Sequence, residues 1–174
     1  MTRIVTVGAA QLGPTGHHEP RAAVVKRMLE MMRAAKSAGC DLIVYPEVAL
    51  TTFFPRWWME DQAEIDSFFE REMPGPETLP LFEECLKLGI GMSFGYAELT
   101  EEEGRTRHFN TSILVDKKAR IVGKYRKIHL PGHADNRSQF ELQHLEKKYF
   151  ETGNLGFGAW RTMGGVMGMC ICND

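Results

Sequence analysis

The 174-residue sequence lacks the long apolar runs of membrane proteins and the one-sided charge of nucleic-acid-binding proteins. It also lacks the many cysteines of disulfide-rich proteins. No apolar run approaches the roughly 20 residues that span a bilayer, and the opening residues alternate like a strand instead of forming a signal peptide. We therefore discount the Asn-Thr-Ser glycosylation acceptor at 110–112. The 21 basic and 23 acidic residues nearly cancel, so we expect no surface for nucleic acid or anionic lipid. The few cysteines lie in apolar surroundings, which predicts a cytoplasmic protein without disulfides: Cys40, Cys85, Cys170 and Cys172.

Apolar residues make up 43% of the chain, which is enough for one domain with a hydrophobic core. The apolar pattern predicts five strands, at 3–12, 40–47, 90–99, 107–116 and 121–127. It predicts helices between Pro20 and Gly39 and over 63–73, 77–89 and 140–150. Two strand-like pieces lie within 159–172. This order of elements predicts an α/β fold in which helices pack on a layered sheet.

Three polar residues occupy the same place relative to predicted strands. Glu47 follows the buried strand "DLIVYP", Lys127 follows "IVGKYR", and Cys172 ends "VMGMCIC". Ligands of α/β proteins bind in the crevice beyond the carboxyl ends of the strands. We therefore expect a carboxylate, an ammonium group and a thiol to converge on one pocket.

These three groups would form a coherent set for covalent catalysis. A thiol is a poor nucleophile until it loses its proton, and a nearby carboxylate can accept that proton. A lysine in the same pocket can neutralise the oxyanion that forms when a carbonyl becomes tetrahedral. The backbone N–H of Asn173, next to the thiol, is a candidate second donor to that oxyanion.

Each residue taken alone has a plainer interpretation. A cysteine in an apolar strand usually fills the core, a glutamate after a strand often caps a helix, and a lysine in a basic run usually faces solvent. Cys170 shares a predicted strand face with Cys172, which is poor geometry for an unstrained disulfide and disfavours a redox or soft-metal protein. Compact zinc-ligand spacing is absent from the nearby histidines: His129, His133 and His144.

Three motifs together resemble the nitrilase, or carbon–nitrogen hydrolase, superfamily. They are "YPEVALTTFF" around Glu47, "GKYRKIHLPGH" around Lys127 and "CND" at Cys172. Within the superfamily, "ALTTFFPRWW", "KYRKIHLPGH" and "QHLEKKYFETGNLGF" resemble the N-carbamoyl-D-amino acid amidohydrolases. The resemblance implies an αββα sandwich that assembles into dimers or tetramers and uses no metal and no organic cofactor. It implies hydrolysis of a small N-carbamoyl-D-amino acid to the D-amino acid, ammonia and carbon dioxide. Close alternatives are β-ureidopropionase-like and carbamoylputrescine-like amidases.

The resemblance also implies a role for each matching residue. Glu47 is the general base, Lys127 stabilises the oxyanion, and Cys172 is the nucleophile that becomes carbamoylated. Glu146, in "HLEKKYF", supports the pocket and orients Lys127 or the attacking water. Two further matches line the site or, as we prefer, hydrogen-bond to it from behind: His129 and His144.

In the family this resemblance suggests, the domain continues past "CND". We therefore expect residues 1–174 to form the N-terminal portion of a single carbon–nitrogen hydrolase domain. Half of a sandwich exposes an apolar sheet face and an open sheet edge, and a terminus beside Cys172 would fray and oppose thiolate formation. We expect such a chain to be aggregation-prone and weakly active or inactive alone, and an inactive fragment that needs a partner chain is the alternative.

Overall fold

A computed structural model describes residues 4–174 and places a five-stranded sheet at the centre of the chain. The first three strands are parallel and the last three are antiparallel, in the order of the sequence. The α/β prediction is confirmed. The strands are β1 Val7–Ala9, β2 Leu42–Val44, β3 Gly91–Glu102, β4 Arg105–Val115 and β5 Ile121–Arg126.

Helices cover one face of this sheet, and a second, two-stranded sheet lies near β5. The long helix α1 and the shorter α3 each bury one apolar face against the sheet. The helices are α1 Arg21–Ser37, α2 Gln62–Asp66, α3 Leu79–Leu88 and α4 Glu146–Tyr149, with a single 3₁₀ turn at Phe54–Arg56. The second sheet pairs β6 Ala159–Thr162 with β7 Gly165–Gly168. No helix within residues 4–174 is long and apolar enough to cross a bilayer.

The two faces of the central sheet have different chemistry because side chains alternate along a strand. On β3, Met92 and Phe94 join the apolar core beneath α1 and α3. The intervening Ser93 and Gly95 face the opposite side, where they line an open cavity. β4 follows the same rule, with Ile113 in the core and a serine and a leucine on the cavity side. The face beneath α1 and α3 is therefore packed by one apolar core, whereas the opposite face carries the cavity and, farther along β3, a second apolar cluster.

Two predicted helices are shorter than expected because their backbone groups bond elsewhere. The helix predicted over 63–73 ends at Asp66, and Glu70 pairs instead with the edge of β3: its N–H donates to Ala97 (2.7 Å), and its carbonyl accepts from Leu99 (2.9 Å). The helix predicted over 140–150 is a single turn at Glu146–Tyr149. There the N–H groups of residues 143 and 145 donate to carbonyls of residues 56 and 55. Tertiary pairing replaced helical hydrogen bonds in both segments.

The prediction that Cys172 ends a strand, with Cys170 on the same strand face, is wrong. β7 ends at Gly168 and pairs only with β6 in the part of the chain described, not with the central sheet. The chain then leaves the strand as Met169 settles on the cavity face, with its sulfur 3.8 Å from the Ser112 hydroxyl. Both cysteines are exposed and lie beyond the strand.

A buried ion network ties β3 to β5 on the helix-covered face. Arg126, which is 3% exposed, donates two hydrogen bonds to Glu98, each 2.9 Å long, and a third to Glu102 at 2.6 Å. Lys124 also donates to Glu98. Burial acts to raise the pKa of Glu98, but hydrogen bonds from Arg126 and Lys124 outweigh it and hold this pKa below its ordinary value. Glu98 is therefore the counter-charge on which two cations depend.

Replacement of Glu98 tests this network. Glu98→Gln keeps the size of the side chain but leaves buried Arg126 without its main counter-charge, and breaking a buried pair in this way costs roughly 3 kcal/mol or more. We expect urea unfolding at pH 7 to show that loss. Glu102→Gln is the matched control, because its side chain is 30% exposed and half-exposed ion pairs contribute about 1 kcal/mol or less. Equal losses in the two variants would contradict the assignment.

Candidate active site

A fully buried lysine joins two of the residues predicted from the sequence. The Nζ of Lys127 lies 2.7 Å from Oε1 of Glu47 and 2.8 Å from Oε2 of Glu146, and its side chain is 0% exposed. The N–H of Lys127 donates to the Asn110 carbonyl (2.8 Å), which extends the pairing of β5 with β4 by one residue. Arg126 belongs to the network on the other face, as strand alternation requires.

The two carboxylates keep Lys127 charged in spite of its burial. Burial alone acts to lower the pKa of an ammonium group, yet the hydrogen bonds to Glu146 and Glu47 raise the pKa of Lys127 above its ordinary value. With all three groups ionised, the cluster carries a net charge of about −1. A buried charge of this kind is tolerated only because both partners are in place.

Glu47 reaches the cluster because the chain beyond β2 runs closely over β3. A Cβ atom at Gly95 would lie 2.8 Å from the Val48 nitrogen and 2.9 Å from the Glu47 Cα, so only glycine fits there. Two backbone bonds hold this crossing: Ala49 donates to the Gly95 carbonyl (2.8 Å), and Gly95 donates to the Pro46 carbonyl (3.2 Å). The close approach fixes where the Glu47 side chain begins.

The two carboxylates that hold Lys127 differ in their surroundings. Glu146 is 1% exposed, and both of its oxygens are engaged, one with Lys127 and the other with His144 at 3.2 Å. Glu47 is 20% exposed and lines the cavity on the face of the sheet opposite α1 and α3. Only Glu47 is therefore open to a molecule in the cavity.

Cys172 lines the same cavity as Glu47, which has a volume of about 510 Å³. The thiol sits in a turn closed by the Asp174 N–H and the Ile171 carbonyl (3.2 Å). Cys172 has a φ of 47°, a left-handed conformation that costs a residue with a side chain about 1–3 kcal/mol and is concentrated at functional sites. The structure thus brings Glu47 and Cys172 to one cavity, with Lys127 behind Glu47. Cys170 lines the cavity as well.

Asp174 holds the turn that carries Cys172, a role we did not predict. Its side chain is 0% exposed, although its main chain is exposed. It accepts hydrogen bonds from the Tyr125 hydroxyl (2.7 Å), the Ile171 N–H (3.0 Å) and the N–H of His129 (3.0 Å). Burial acts to raise the pKa of Asp174, but these donors, Tyr125 foremost, hold it below its ordinary value. Its position in "CND" was the available signal.

The predicted histidines and Asn173 lie outside the cavity that Glu47 and Cys172 line. The ring of His129 contacts Asp174 at 3.0 Å and is 55% exposed, and His129 lines a separate cavity of about 440 Å³ together with Asn173. Asn173 donates its side-chain amide to the His129 carbonyl at 3.3 Å. His144 contacts Glu146. Neither histidine lines the cavity of Glu47 and Cys172.

A second residue that we did not predict touches Glu47. Asn110, on β4, is 0% exposed and donates its side-chain amide to Oε1 of Glu47 at 2.6 Å. The signal was an amide residue within a strand of otherwise apolar and hydroxyl side chains, "FNTSILV". Across residues 4–174, no group of three or more acidic, histidine or cysteine side chains is arranged to hold a metal ion.

The sequence has recognisable similarity to known proteins. A family model described as carbon-nitrogen hydrolase matches residues 6–174. An N-carbamoylputrescine amidase from Solanum lycopersicum is 29% identical over 175 residues, which cover 99% of this chain and 51% of that protein. A formamidase from Bacillus thuringiensis (strain Al Hakam) is 24% identical over 86% of this chain and 40% of its own length. The chain therefore spans about half the length, or less, of these relatives.

Solved structures agree on the fold. A carbon-nitrogen hydrolase from Helicobacter pylori G27 superposes with a TM-score of 0.74 at 22% identity, over 97% of this chain and 51% of that chain. An amidase mutant from Nesterenkonia sp. AN1, in which acrylamide has added to the active-site cysteine, gives a TM-score of 0.73 at 14% identity. That match covers 98% of this chain and 58% of the other.

The close approach at Gly95 predicts a large penalty for one added methyl group. Gly95→Ala would push its Cβ into the backbone of Glu47 and Val48, and overpacking of this kind costs about 1–3 kcal/mol. We expect that loss in urea unfolding. Gly165→Ala is the control, because nothing lies within 4 Å of the place that its Cβ would occupy, and it should change stability by about 0.5 kcal/mol or less. A neutral Gly95→Ala would mean that the crossing is not fixed.

The buried carboxylate of Asp174 predicts a pH-dependent contribution to stability. Because its folded-state pKa is depressed, the contribution is complete above the ordinary range of about pH 4 and is lost as the pH falls through the depressed value. Asp174→Asn should therefore be less stable at pH 7, by about 1–2 kcal/mol, and should approach wild type on acidification.

Urea titrations between pH 7 and pH 2.5 would measure this difference. Asp135→Asn is the control, because Asp135 is 70% exposed, so solvent screens its ion pair and the substitution should leave stability nearly unchanged. A stability difference for Asp174→Asn that stays constant down to the lowest pH would contradict the prediction.

Proposed function

Because the chain belongs to the carbon-nitrogen hydrolase family, we propose that it carries the catalytic groups of an enzyme that hydrolyses N-carbamoyl compounds. The observation that carries the proposal is the buried Lys127, held between Glu47 and Glu146 beside a cavity lined by Glu47 and Cys172. A base, a cation and a thiol are the three groups that covalent hydrolysis of an amide-type bond requires.

The first half of the proposed reaction forms a carbamoyl thioester. The Cys172 thiol gives its proton to Glu47 and its sulfur attacks the carbamoyl carbon, so that the carbonyl oxygen becomes an oxyanion. Two of the three N–H groups of Lys127 are engaged by carboxylates, which leaves one for that oxyanion. The Asn173 N–H is the proposed second donor. The intermediate collapses, the C–N bond to the amino acid breaks, and Glu47 protonates the departing nitrogen.

The second half regenerates the thiol. Water enters the cavity and gives a proton to Glu47 as it attacks the thioester carbon. The C–S bond then breaks, the proton returns from Glu47 to the sulfur of Cys172, and the released carbamic acid decomposes to ammonia and carbon dioxide. Glu146 takes no part in these proton transfers, because both of its oxygens are engaged and it is closed to the cavity. Its proposed role is to hold Lys127 in place.

The proposed substrate is an N-carbamoyl-D-amino acid. Support comes from the motifs around Glu47, Lys127 and Glu146, which resemble those of N-carbamoyl-D-amino acid amidohydrolases. The second candidate is N-carbamoylputrescine, which is favoured by relatives such as the Solanum lycopersicum amidase at 29% identity. Both substrates present the same carbamoyl group and differ in the charge at the far end, a carboxylate in one and an ammonium group in the other. A dimeric or tetrameric assembly of the native protein is proposed on the same resemblance.

The test is ammonia release by the native gene product from three substrates: an N-carbamoyl-D-amino acid, its L form and N-carbamoylputrescine. We expect turnover of the D form and loss of activity by about 1,000-fold or more in Cys172→Ala, because no nucleophile remains. Cys170→Ala is the matched control, and its rate of ammonia release should stay within about threefold of wild type. Loss of a thiol that only lines the cavity should have a small effect. Mass spectrometry should find the carbamoyl adduct on Cys172.

Each outcome separates part of the proposal. Turnover of N-carbamoylputrescine alone would replace the substrate and keep the chemistry. Full activity in Cys172→Ala would overturn the assignment of the nucleophile. The 174-residue chain measured alongside tests the expectation that these residues alone are weakly active or inactive.

A further inference from the structure

Asn110 contacts two of the three groups in the proposed catalytic set. Its side-chain amide donates to Oε1 of Glu47 at 2.6 Å, and its backbone carbonyl accepts the Lys127 N–H at 2.8 Å. It sits in the middle of β4, paired with Ala97 of β3, and is 0% exposed. A residue at the centre of an antiparallel pair has little freedom to move, so Asn110 presents its amide from a fixed position.

This contact makes the two oxygens of Glu47 unequal. Oε1 accepts from both Asn110 and Lys127, at 2.6 Å and 2.7 Å. No donor within residues 4–174 contacts Oε2. Two donors on one oxygen fix the rotation of the carboxylate about its last bond. The unoccupied oxygen is then the one available to a proton from the cavity.

Among the residues that the structure describes, the side-chain oxygen of Asn110 has no hydrogen bond to offset the cost of its burial. Its Oδ1 is buried without a hydrogen-bond partner in the described part of the chain, a situation that costs about 1–3 kcal/mol. Turning the amide over would not relieve this, because Oδ1 would then face the carboxylate oxygen of Glu47. Asn110 does not line the cavity, so its contact with Glu47 is the interaction that explains a buried amide here.

We propose that Asn110 is a positioning residue that selects Oε2 of Glu47 as the proton acceptor for the Cys172 thiol. The inference rests on the proposed function of Glu47 as the base. The Asn110 amide donates a hydrogen bond to Oε1 and so stabilises the ionised carboxylate. Its carbonyl accepts the Lys127 N–H and so holds the backbone of Lys127 against β4. Its effect is on proton transfer and not on substrate affinity, because it has no surface in the cavity.

The variants are Asn110→Ala, which removes the donor, and Asn110→Asp, which keeps the shape and places a second carboxylate against Glu47. Losing a donor to the charged form, or adding a like charge, favours protonation of Glu47. We expect the acid limb of the kcat/KM profile to move to higher pH by about 0.5–1 unit in Asn110→Ala and further in Asn110→Asp. At the optimum, kcat should fall about 10–100-fold, with KM within about threefold.

Asn154→Asp is the matched control, because the same chemical change occurs in the Arg126 and Glu102 network, away from the cavity. It should leave the acid limb in place. Asn110→Ser provides a third variant if either of the others does not fold, since its side chain is one bond too short to replace the amide nitrogen. Circular dichroism at each pH confirms that the compared variants are folded.

A readout that needs no substrate separates this inference from the proposed function. The rate at which iodoacetamide alkylates Cys172, followed by mass spectrometry of that residue, depends on the same proton acceptor. The acid limb of the alkylation rate should move to higher pH in both variants, by a smaller amount in Asn110→Ala than in Asn110→Asp. If no carbamoyl compound is hydrolysed and the alkylation limb still shifts, the substrate is wrong and the positioning role stands. Unshifted limbs in the Asn110 variants, or an equal shift in Asn154→Asp, would overturn the inference.

Discussion

The site depends on one ammonium group that is fully buried from solvent. Lys127 is completely buried, and its charge is balanced by Glu47 and Glu146, which lie 80 and 19 residues away in the sequence. A buried cation is stable only when its partners are present and correctly oriented. The end of β2, the end of β5 and the turn of α4 must therefore be assembled together before the cluster exists. Formation of the site is coupled to completion of the sheet.

Two glutamates bind the same ammonium group, but their different surroundings suit them to different roles. Glu146 is enclosed, with both oxygens engaged, whereas Glu47 shares one oxygen with two donors and exposes part of its surface to the cavity. An enclosed carboxylate is suited to hold a charge, and a partly open one is suited to exchange a proton. Position in the fold, and not residue type, distinguishes the proposed anchor from the proposed base.

The sequence predicted features that depend on local patterns along the chain. It did not predict features that depend on contacts between residues far apart in the sequence. The α/β class and the placing of Glu47 and Lys127 after strands follow from apolar runs and the residues that end them. Asn110 and Asp174 were missed because their partners, Glu47 and Tyr125, lie 63 and 49 residues away, and the local signals do not identify those partners. The helix predicted over 63–73 failed for the same reason, because Glu70 bonds to β3. Cys172 was placed on a strand because an apolar run does not reveal that Met169 turns onto the sheet.

Arg126 and Lys127 are adjacent cations that serve networks on opposite faces of the sheet. A slip of β5 by one residue would send each cation to the other face. The guanidinium would then meet single carboxylate oxygens instead of the paired oxygens of Glu98, and the ammonium group could not reproduce the two-pronged contact that Arg126 makes. The error would leave mismatched charges on both sides of the strand at once. The two neighbours thus discriminate against misalignment of the strand that brings Lys127 between Glu47 and Glu146.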